Sequence, residues 1–311
     1  MGKIAFLYPG QASQYVGMGK DLFDRFPQAR EIYQNANDIL GFDLARVSFH
    51  GPEEELKQTK ITQPAIFVHS VIVTNLLQER EVTAQMAAGH SLGEYSALVA
   101  AEALSFAEGL RLVKLRGELM QWAGEKQPGS MAAVLGLEAA EVEKLCTEAT
   151  KAGVVQAANF NSPEQTVISG SITGVEQAMA LARARGAKRV IPLVVSGAFH
   201  SPLMAGAQVG LGKALEKIEF AETQFPVYTN VTAEPAANAK ELRELLYRQL
   251  TSPVRWVDSV KNMIRDGATT FIEVGPGTVL TGLLKKIDRG VRGIAVGTVE
   301  NLEKVNSDLS G

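Results

Sequence analysis

Along the chain, short apolar runs alternate with longer stretches in which apolar residues recur every three to four positions. The apolar run Lys3–Tyr8, closed by Pro9-Gly10, predicts a buried strand leading into a turn. Helical periodicity follows over 21–40. A second helix is predicted from Pro64, because proline suits a first helical position. It is apolar on all sides over 65–77 and should be buried. Residues 85–89 predict another short strand and 92–101 a helix. Ser105-Phe106-Ala107-Glu108 has capping-box spacing and opens a helix running to near Trp122.

The pattern changes over 125–195. Strands at 130–134, 154–160, 166–170 and 188–193 are separated by helices at 139–152 and 172–185. This βαββαβ order is that of a ferredoxin-like module. The chain then returns to α/β alternation, with strands at 227–231, 270–274 and 291–296 and helices at 240–250, 256–266 and 280–287. The polar tail 301–311 is expected to fray. The predicted fold is α/β. A large α/β-hydrolase-like domain with a parallel sheet core is built from 1–124 and 196–311, and a small ferredoxin-like domain is inserted at 125–195.

Composition narrows the function. A length of 311 residues suits about two domains. With 46% hydrophobic and 21% charged residues the chain is an ordinary globular one, which excludes extensive disorder. A net charge of −3 argues against a basic nucleic-acid-binding face. The single cysteine, Cys146, excludes an internal disulfide framework and a thiolate metal cage, and reads as core packing. No segment has the length and apolarity of a membrane span or of a signal peptide, so a cytoplasmic protein is expected.

Gly89-His90-Ser91-Leu92-Gly93 matches G-x-S-x-G between a predicted strand and a predicted helix, the setting of a nucleophile elbow. There the serine sits at a helix N-terminus, whose free N–H groups favour a developing oxyanion. The competing reading is a glycine-rich connection whose serine only caps the helix. A nucleophilic serine needs a base. Of the four histidines, His50 reads as a turn residue and His69 as a core residue. His90 adjoins Ser91 at a turn where neighbouring side chains diverge. That leaves His200, in a loop after the last strand of the insert. On the helix from Ser105, Arg116 falls on the apolar face with Leu112, Val113, Leu119 and Met120. A cation there needs a structural salt bridge, a snorkelling path to solvent, or a substrate carboxylate as its partner.

Several ordered segments carry a family resemblance. They are Pro9-Gly10-Gln11-Ala12-Ser13-Gln14, Thr62-Gln63-Pro64-Ala65, Gly89-His90-Ser91-Leu92-Gly93-Glu94-Tyr95 and Arg116-Gly117. Asn159-Phe160-Asn161-Ser162-Pro163, Gly197-Ala198-Phe199-His200-Ser201, the run 249–256 and Glu273-Val274-Gly275-Pro276-Gly277 complete the set. With these the chain resembles the malonyl-CoA:acyl carrier protein transacylases, the acyltransferase family of fatty-acid synthesis, over nearly its whole length.

The resemblance implies that Ser91 takes the acyl group, that His200 is its base, and that the main-chain carbonyl of Gln249 orients His200. It places the oxyanion on the N–H groups of Gln11 and Leu92, and the malonyl carboxylate on Arg116. His90, Asn159 and Asn161 belong to the cleft, and Phe199 beside the histidine to the discrimination against α-methylated acyl groups. Ala12 stands where the family commonly has glycine. Malonyl-CoA, CoA and an acyl carrier protein are the implied partners. No metal or separate cofactor is implied, and a monomer is expected. An acidic carrier calls for a basic patch, for which Lys188, Arg189, Lys285 and Lys286, with Arg289 and Arg292, are candidates. Competing readings are an acyltransferase serving a polyketide carrier, a hydrolase of the esterase or thioesterase type, and a non-catalytic carrier-binding module. In a hydrolase the histidine should follow an acid late in the chain, whereas here the last histidine is His200.

Overall fold

The computed structural model describes residues 2–310. Its strands are β1 Lys3–Tyr8, β2 Met86–Gly89, β3 Gly129–Leu135, β4 Val155–Ser162, β5 Gln165–Ser171, β6 Arg189–Pro192, β7 Val227–Tyr228, β8 Ala268–Val274 and β9 Arg292–Val296. Five of them form a parallel sheet in the order β7-β2-β1-β8-β9. A parallel sheet covered on both faces needs strands apolar on both faces, which is why β1 reads as a continuous apolar run. Its alternate residues serve opposite sides: Phe6 and Tyr8 pack in one core, Ala5 and Leu7 in the other. The carboxyl ends of β1 and β2 lie side by side, so the turn after Tyr8 and the turn after Gly89 meet.

The other four strands form an antiparallel sheet in the order β4-β5-β3-β6, the ferredoxin-like arrangement expected for a βαββαβ segment. One face is covered by the helices Ala139–Ala149 and Ile172–Ala184, with Cys146 buried among Val142, Leu145 and Ala178. Burial pushes its thiol up to about 12, so it is packing and not a reactive group. Met131, Ala133 and Val167, on the opposite face, join the core of the large layer. The backbone also crosses over. Val254 N–H donates to the Ala158 carbonyl at 2.8 Å, and Phe160 N–H donates to the Val254 carbonyl at 2.9 Å.

Several sequence expectations need correction. The second helix spans Thr59–Gln78, with Pro64 inside it rather than at its start. Ile61 and Thr62 N–H groups already donate to the Gln58 carbonyl, so the first turn forms upstream of the proline. The predicted 21–40 helix is two, Lys20–Arg25 and Pro27–Leu40, because Pro27 holds Phe26 extended at φ −116°, ψ 121°. The helix opened by the Ser105 capping box continues to Lys126, and the strand predicted at 227–231 is only Val227–Tyr228. The tail, predicted to fray, contains the helix Val299–Ser310. Leu302 and Val305 are buried there, and its Val299 N–H donates to Asp21 at 2.8 Å. The helix Ala205–Leu215 was not anticipated, because Gly206, Gly210 and Gly212 lower its helical propensity. Among the described residues, no helix is long and apolar enough to cross a membrane.

Candidate active site

Ser91 stands between β2 and the helix Gly93–Ala100. The turn is tight enough to require glycine on both sides. A Cβ at Gly89 would lie 1.9 Å from the Gly93 carbonyl carbon, and one at Gly93 would lie 2.1 Å from the Tyr8 oxygen. Ser91 itself has φ 52°, and His200 has φ 56°. A left-handed conformation is costly for a side-chain-bearing residue, and such strain gathers at functional sites where the surroundings impose it.

Ser91 Oγ lies 2.7 Å from His200 Nε2 and 3.0 Å from Arg116 Nη2. His200 Nδ1 is 2.9 Å from the main-chain oxygen of Gln249. A carbonyl only accepts, so this contact assigns the proton to Nδ1 and leaves Nε2 as acceptor for the serine hydroxyl. Burial first, and the Arg116 charge second, push the His200 imidazole down to about 3. The imidazole is therefore neutral in the resting site. Gln156 on β4 donates to the His200 carbonyl at 2.8 Å, so the small sheet helps hold His200.

Arg116 is 1% exposed, yet no carboxylate among the described residues is in direct contact with it. Its Nη1 donates to Gln63 Oε1 at 2.7 Å, its Nη2 to Gln249 Oε1 at 2.9 Å, and the Tyr95 ring lies 5.7 Å from the guanidinium carbon. Of the outcomes expected for a cation on this apolar face, neither the structural salt bridge nor a side chain snorkelling to solvent is formed. Amide oxygens hold the guanidinium, and no carboxylate among the described residues touches it.

A second set of bonds fixes the turn. Ser91 N–H donates to Asn230 Oδ1 at 2.7 Å, and Asn230 Nδ2 donates to the Gly89 carbonyl at 2.6 Å. Gln249 Nε2 donates to the Ser91 carbonyl at 3.0 Å and to Glu94 Oε2 at 3.0 Å. Asn230 N–H reaches the same Glu94 oxygen at 2.9 Å. Glu94, Asn230 and the side chains of Gln63 and Gln249 had no role assigned from sequence. Glu94 and Gln63 lie inside quoted motifs. Asn230 falls inside the strand predicted at 227–231, and only the shorter strand Val227–Tyr228 places it beyond a carboxyl end.

The cleft above Ser91 has a volume of about 730 Å³. Gln11, Leu92, His90, Arg116, Asn159, Phe199 and His200 all line it. The backbone N–H groups of Gln11 and Leu92 donate to no acceptor among the described residues, which leaves two donors free beside the hydroxyl. Asn161 stands behind His90, its Oδ1 2.8 Å from His90 Nε2, and Trp256 packs on the same ring. A larger groove of about 860 Å³ between the helices Ala205–Leu215 and Ala239–Gln249 shares no lining residue with this cleft.

The expected basic residues are exposed but do not form one patch. Lys188 and Arg189 lie at the β6 edge of the small sheet, where Lys188 pairs with Glu164 at 3.2 Å. Lys285 and Lys286 end the helix Val279–Ile287, which packs toward β4 at the opposite edge.

The chain is similar to known proteins over nearly its whole length. The acyl transferase domain family matches residues 5–304. The chain is 45% identical over 304 residues to a malonyl CoA-acyl carrier protein transacylase of Bacillus subtilis (strain 168), covering 97% of this chain and 96% of that one. It superposes with a TM-score of 0.96 on the structure of a malonyl CoA-acyl carrier protein transacylase from Coxiella burnetii, at 39% identity, over 100% of this chain and 98% of that one. A malonyl-transacylase solved in complex with a type II PKS acyl-carrier protein gives a TM-score of 0.95 at 41% identity, over 98% of this chain and 99% of that one. With a match of this extent joined to a serine–histidine pair on a nucleophile elbow, the chain belongs to the acyl transferase domain family, and it is an acyltransferase.

Proposed function

We propose that this acyltransferase moves a malonyl group from malonyl-CoA to the phosphopantetheine thiol of an acyl carrier protein, through a malonyl ester on Ser91. One observation carries the reading. The Ser91 hydroxyl is shared between a neutral histidine and a buried arginine that no carboxylate among the described residues touches. A nucleophile with its base suits acyl transfer, and a buried guanidinium lacking a direct counter-ion suits an acyl group that brings a carboxylate.

In the first half-reaction the malonyl carboxylate docks on Arg116. The Ser91 Oγ–C bond forms as the Oγ proton passes to His200 Nε2, and the oxyanion collects the Gln11 and Leu92 N–H groups. The intermediate collapses with cleavage of the C–S bond, and His200 returns the proton to the departing CoA sulfur. In the second half the carrier thiol gives its proton to His200 and attacks the ester carbon. The Ser91 oxygen then leaves and is reprotonated. Atoms and charge balance using the two thioester partners alone, so the scheme calls for no further cofactor. Gln249 orients His200 through its main chain. Asn159, and Asn161 through His90, shape the wall facing the acyl chain. Phe199 restricts room beside the ester, so a methyl on the acyl α-carbon should cost about 1–3 kcal/mol in discrimination. The substrate sits between the part formed by 1–124 with 196–311 and the insert 125–195, shielded from water.

Intact-protein mass after mixing with malonyl-CoA, then with holo acyl carrier protein, tests the proposal. A malonyl adduct that moves to the carrier is the expected result. An adduct that decays equally fast without carrier would make the protein a hydrolase.

A further inference from the structure

Glu94 is a buried carboxylate that the reaction scheme does not use. It is 1% exposed, as is Arg116, and the two are joined by a single amide. Arg116 Nη2 donates to Gln249 Oε1 at 2.9 Å, and Gln249 Nε2 donates to Glu94 Oε2 at 3.0 Å. The Gln249 amide thus lies between a cation at its oxygen and an anion at its nitrogen. This fixes which way the amide faces. It also makes Glu94 the counter-charge of Arg116 at one remove. The two oxygens of Glu94 differ. Oε2 accepts from Gln249 and from Asn230 N–H, whereas Oε1 is buried with no hydrogen-bond partner among the described residues.

We infer that Glu94 takes up a proton on Oε1 when the malonyl carboxylate docks on Arg116, so that malonyl binding is coupled to proton uptake from solvent. The inference rests on the reading of Arg116 as the malonyl site. With Arg116 charged and Glu94 ionised, the resting pocket is neutral as a pair. A docked malonyl carboxylate would leave one uncompensated negative charge in a buried site, a costly state. A proton on Glu94 restores neutrality and breaks no existing bond, because Oε2 keeps both of its donors. The group is already poised for this. Burial pushes Glu94 up to about 7 against the opposing pull of Asn230, Gln249 and Arg116.

The titratable groups around Glu94 are consistent with this assignment. Arg116 faces it from the helix Phe106–Lys126. Tyr95, next to it in its own helix, is held neutral by burial. His200 and His90, whose charges bear on one another, are both pushed down by burial. Tyr8 on β1 bonds Thr74, and His69 on the helix Thr59–Gln78 faces Asp21 and Gly297.

The test measures proton uptake by titration calorimetry in buffers of different ionisation enthalpy near neutral pH. The Ser91→Ala protein is used, so that binding is not followed by acylation. Malonyl-CoA should bind with net proton uptake and with affinity falling up to about tenfold per pH unit on the alkaline side, whereas acetyl-CoA should show neither. Adding Glu94→Gln keeps an acceptor for Gln249 and Asn230 but removes the charge. It should abolish the uptake and flatten the pH dependence. Uptake that persists in Glu94→Gln, or none in its parent, overturns the inference. If Glu94→Gln does not fold, the infrared difference spectrum of the parent on binding malonyl-CoA decides. A new protonated-carboxyl band supports the inference, and its absence refutes it. Failure of the Arg116 reading looks different: Arg116→Ala in the same background would then retain the preference for malonyl-CoA over acetyl-CoA.

Discussion

His200 donates its Nδ1–H to the main-chain oxygen of Gln249 at 2.9 Å, so the imidazole proposed as the base is oriented by a peptide carbonyl rather than by a carboxylate. Side-chain replacement at Gln249 therefore leaves the orienter in place. What it removes is the amide joining Arg116, Glu94 and the Ser91 carbonyl. His200→Ala should slow acylation about 10²–10⁴-fold, the usual range for loss of a general base. Gln249→Ala should slow acetyl transfer much less, while lowering stability by about 1–3 kcal/mol through the buried groups left unpaired. Rapid-quench acylation and urea unfolding on both variants check this. Equal kinetic damage would mean that the Gln249 side chain, not its carbonyl, governs the base.

The pH profile follows from the same histidine. Its ordinary value is near 6.5, and in the folded protein it is pushed down to about 3 by burial and the Arg116 charge. Protonation, which would disable the base, begins only as the pH falls toward that lower value. kcat/KM for acetyl-CoA, which reports the free enzyme without the malonyl carboxylate, should therefore stay level from pH 8 to about 5. An acid limb centred near 6.5 would show that the imidazole is not held neutral.

Arg116 separates malonyl from acetyl only if its charge meets the acyl carboxylate. Arg116→Ala should remove about 2–5 kcal/mol of preference for malonyl-CoA, as truncating one partner of a buried charged pair does. Acylation rates with the two thioesters give the ratio directly. A ratio that does not change would make Arg116 a structural cation held by Gln63 and Gln249.

Ser91, His200 and Arg116 were legible in the sequence for different reasons. G-x-S-x-G in strand–turn–helix context marks its serine locally. His200 stood out by elimination. Arg116 was exposed by helical periodicity, since a cation on an apolar face has to be explained. The architecture was legible too, because β1 reads apolar on both faces and the βαββαβ order names its own sheet. Pro64 misled because a proline is as compatible with the second turn of a helix as with its start, provided the turn before it is already capped, here by the Gln58 carbonyl. The tail misled because two buried residues, Leu302 and Val305, suffice to dock a helix that is otherwise polar. Asn230 could not have been found, since its role depends on the distance between segments 139 residues apart.

Splitting of the basic residues into two groups on opposite edges of the small sheet makes carrier recognition separable. Charge reversal at Lys285 and Lys286 should raise the KM for acyl carrier protein and leave that for malonyl-CoA unchanged. The same change at Lys188 and Arg189 should do little, because Lys188 is already paired with Glu164. Steady-state kinetics with both substrates varied tests each pair. A larger effect from Lys188 and Arg189 would place the acidic partner on the β6 edge.

Ala12 offers a test of strain beside Gln11, the proposed oxyanion donor. It has φ 82°, a region that costs a residue with a Cβ about 1–2 kcal/mol. Its methyl group is exposed, and its N–H bond to Gln14 Oε1 at 2.8 Å does not depend on the side chain. Ala12→Gly removes the strain but adds about 0.5–1 kcal/mol of unfolded-chain entropy to be lost on folding. The balance favours the variant by up to about 1.5 kcal/mol. The urea midpoint should therefore rise with an unchanged slope, which is the signature of a stability change alone. Acylation should be unaffected, because the proposed oxyanion donor is the N–H of Gln11 and not of Ala12. A slower acylation with the higher midpoint would instead show that the strained methyl-bearing residue keeps that N–H aimed at the ester.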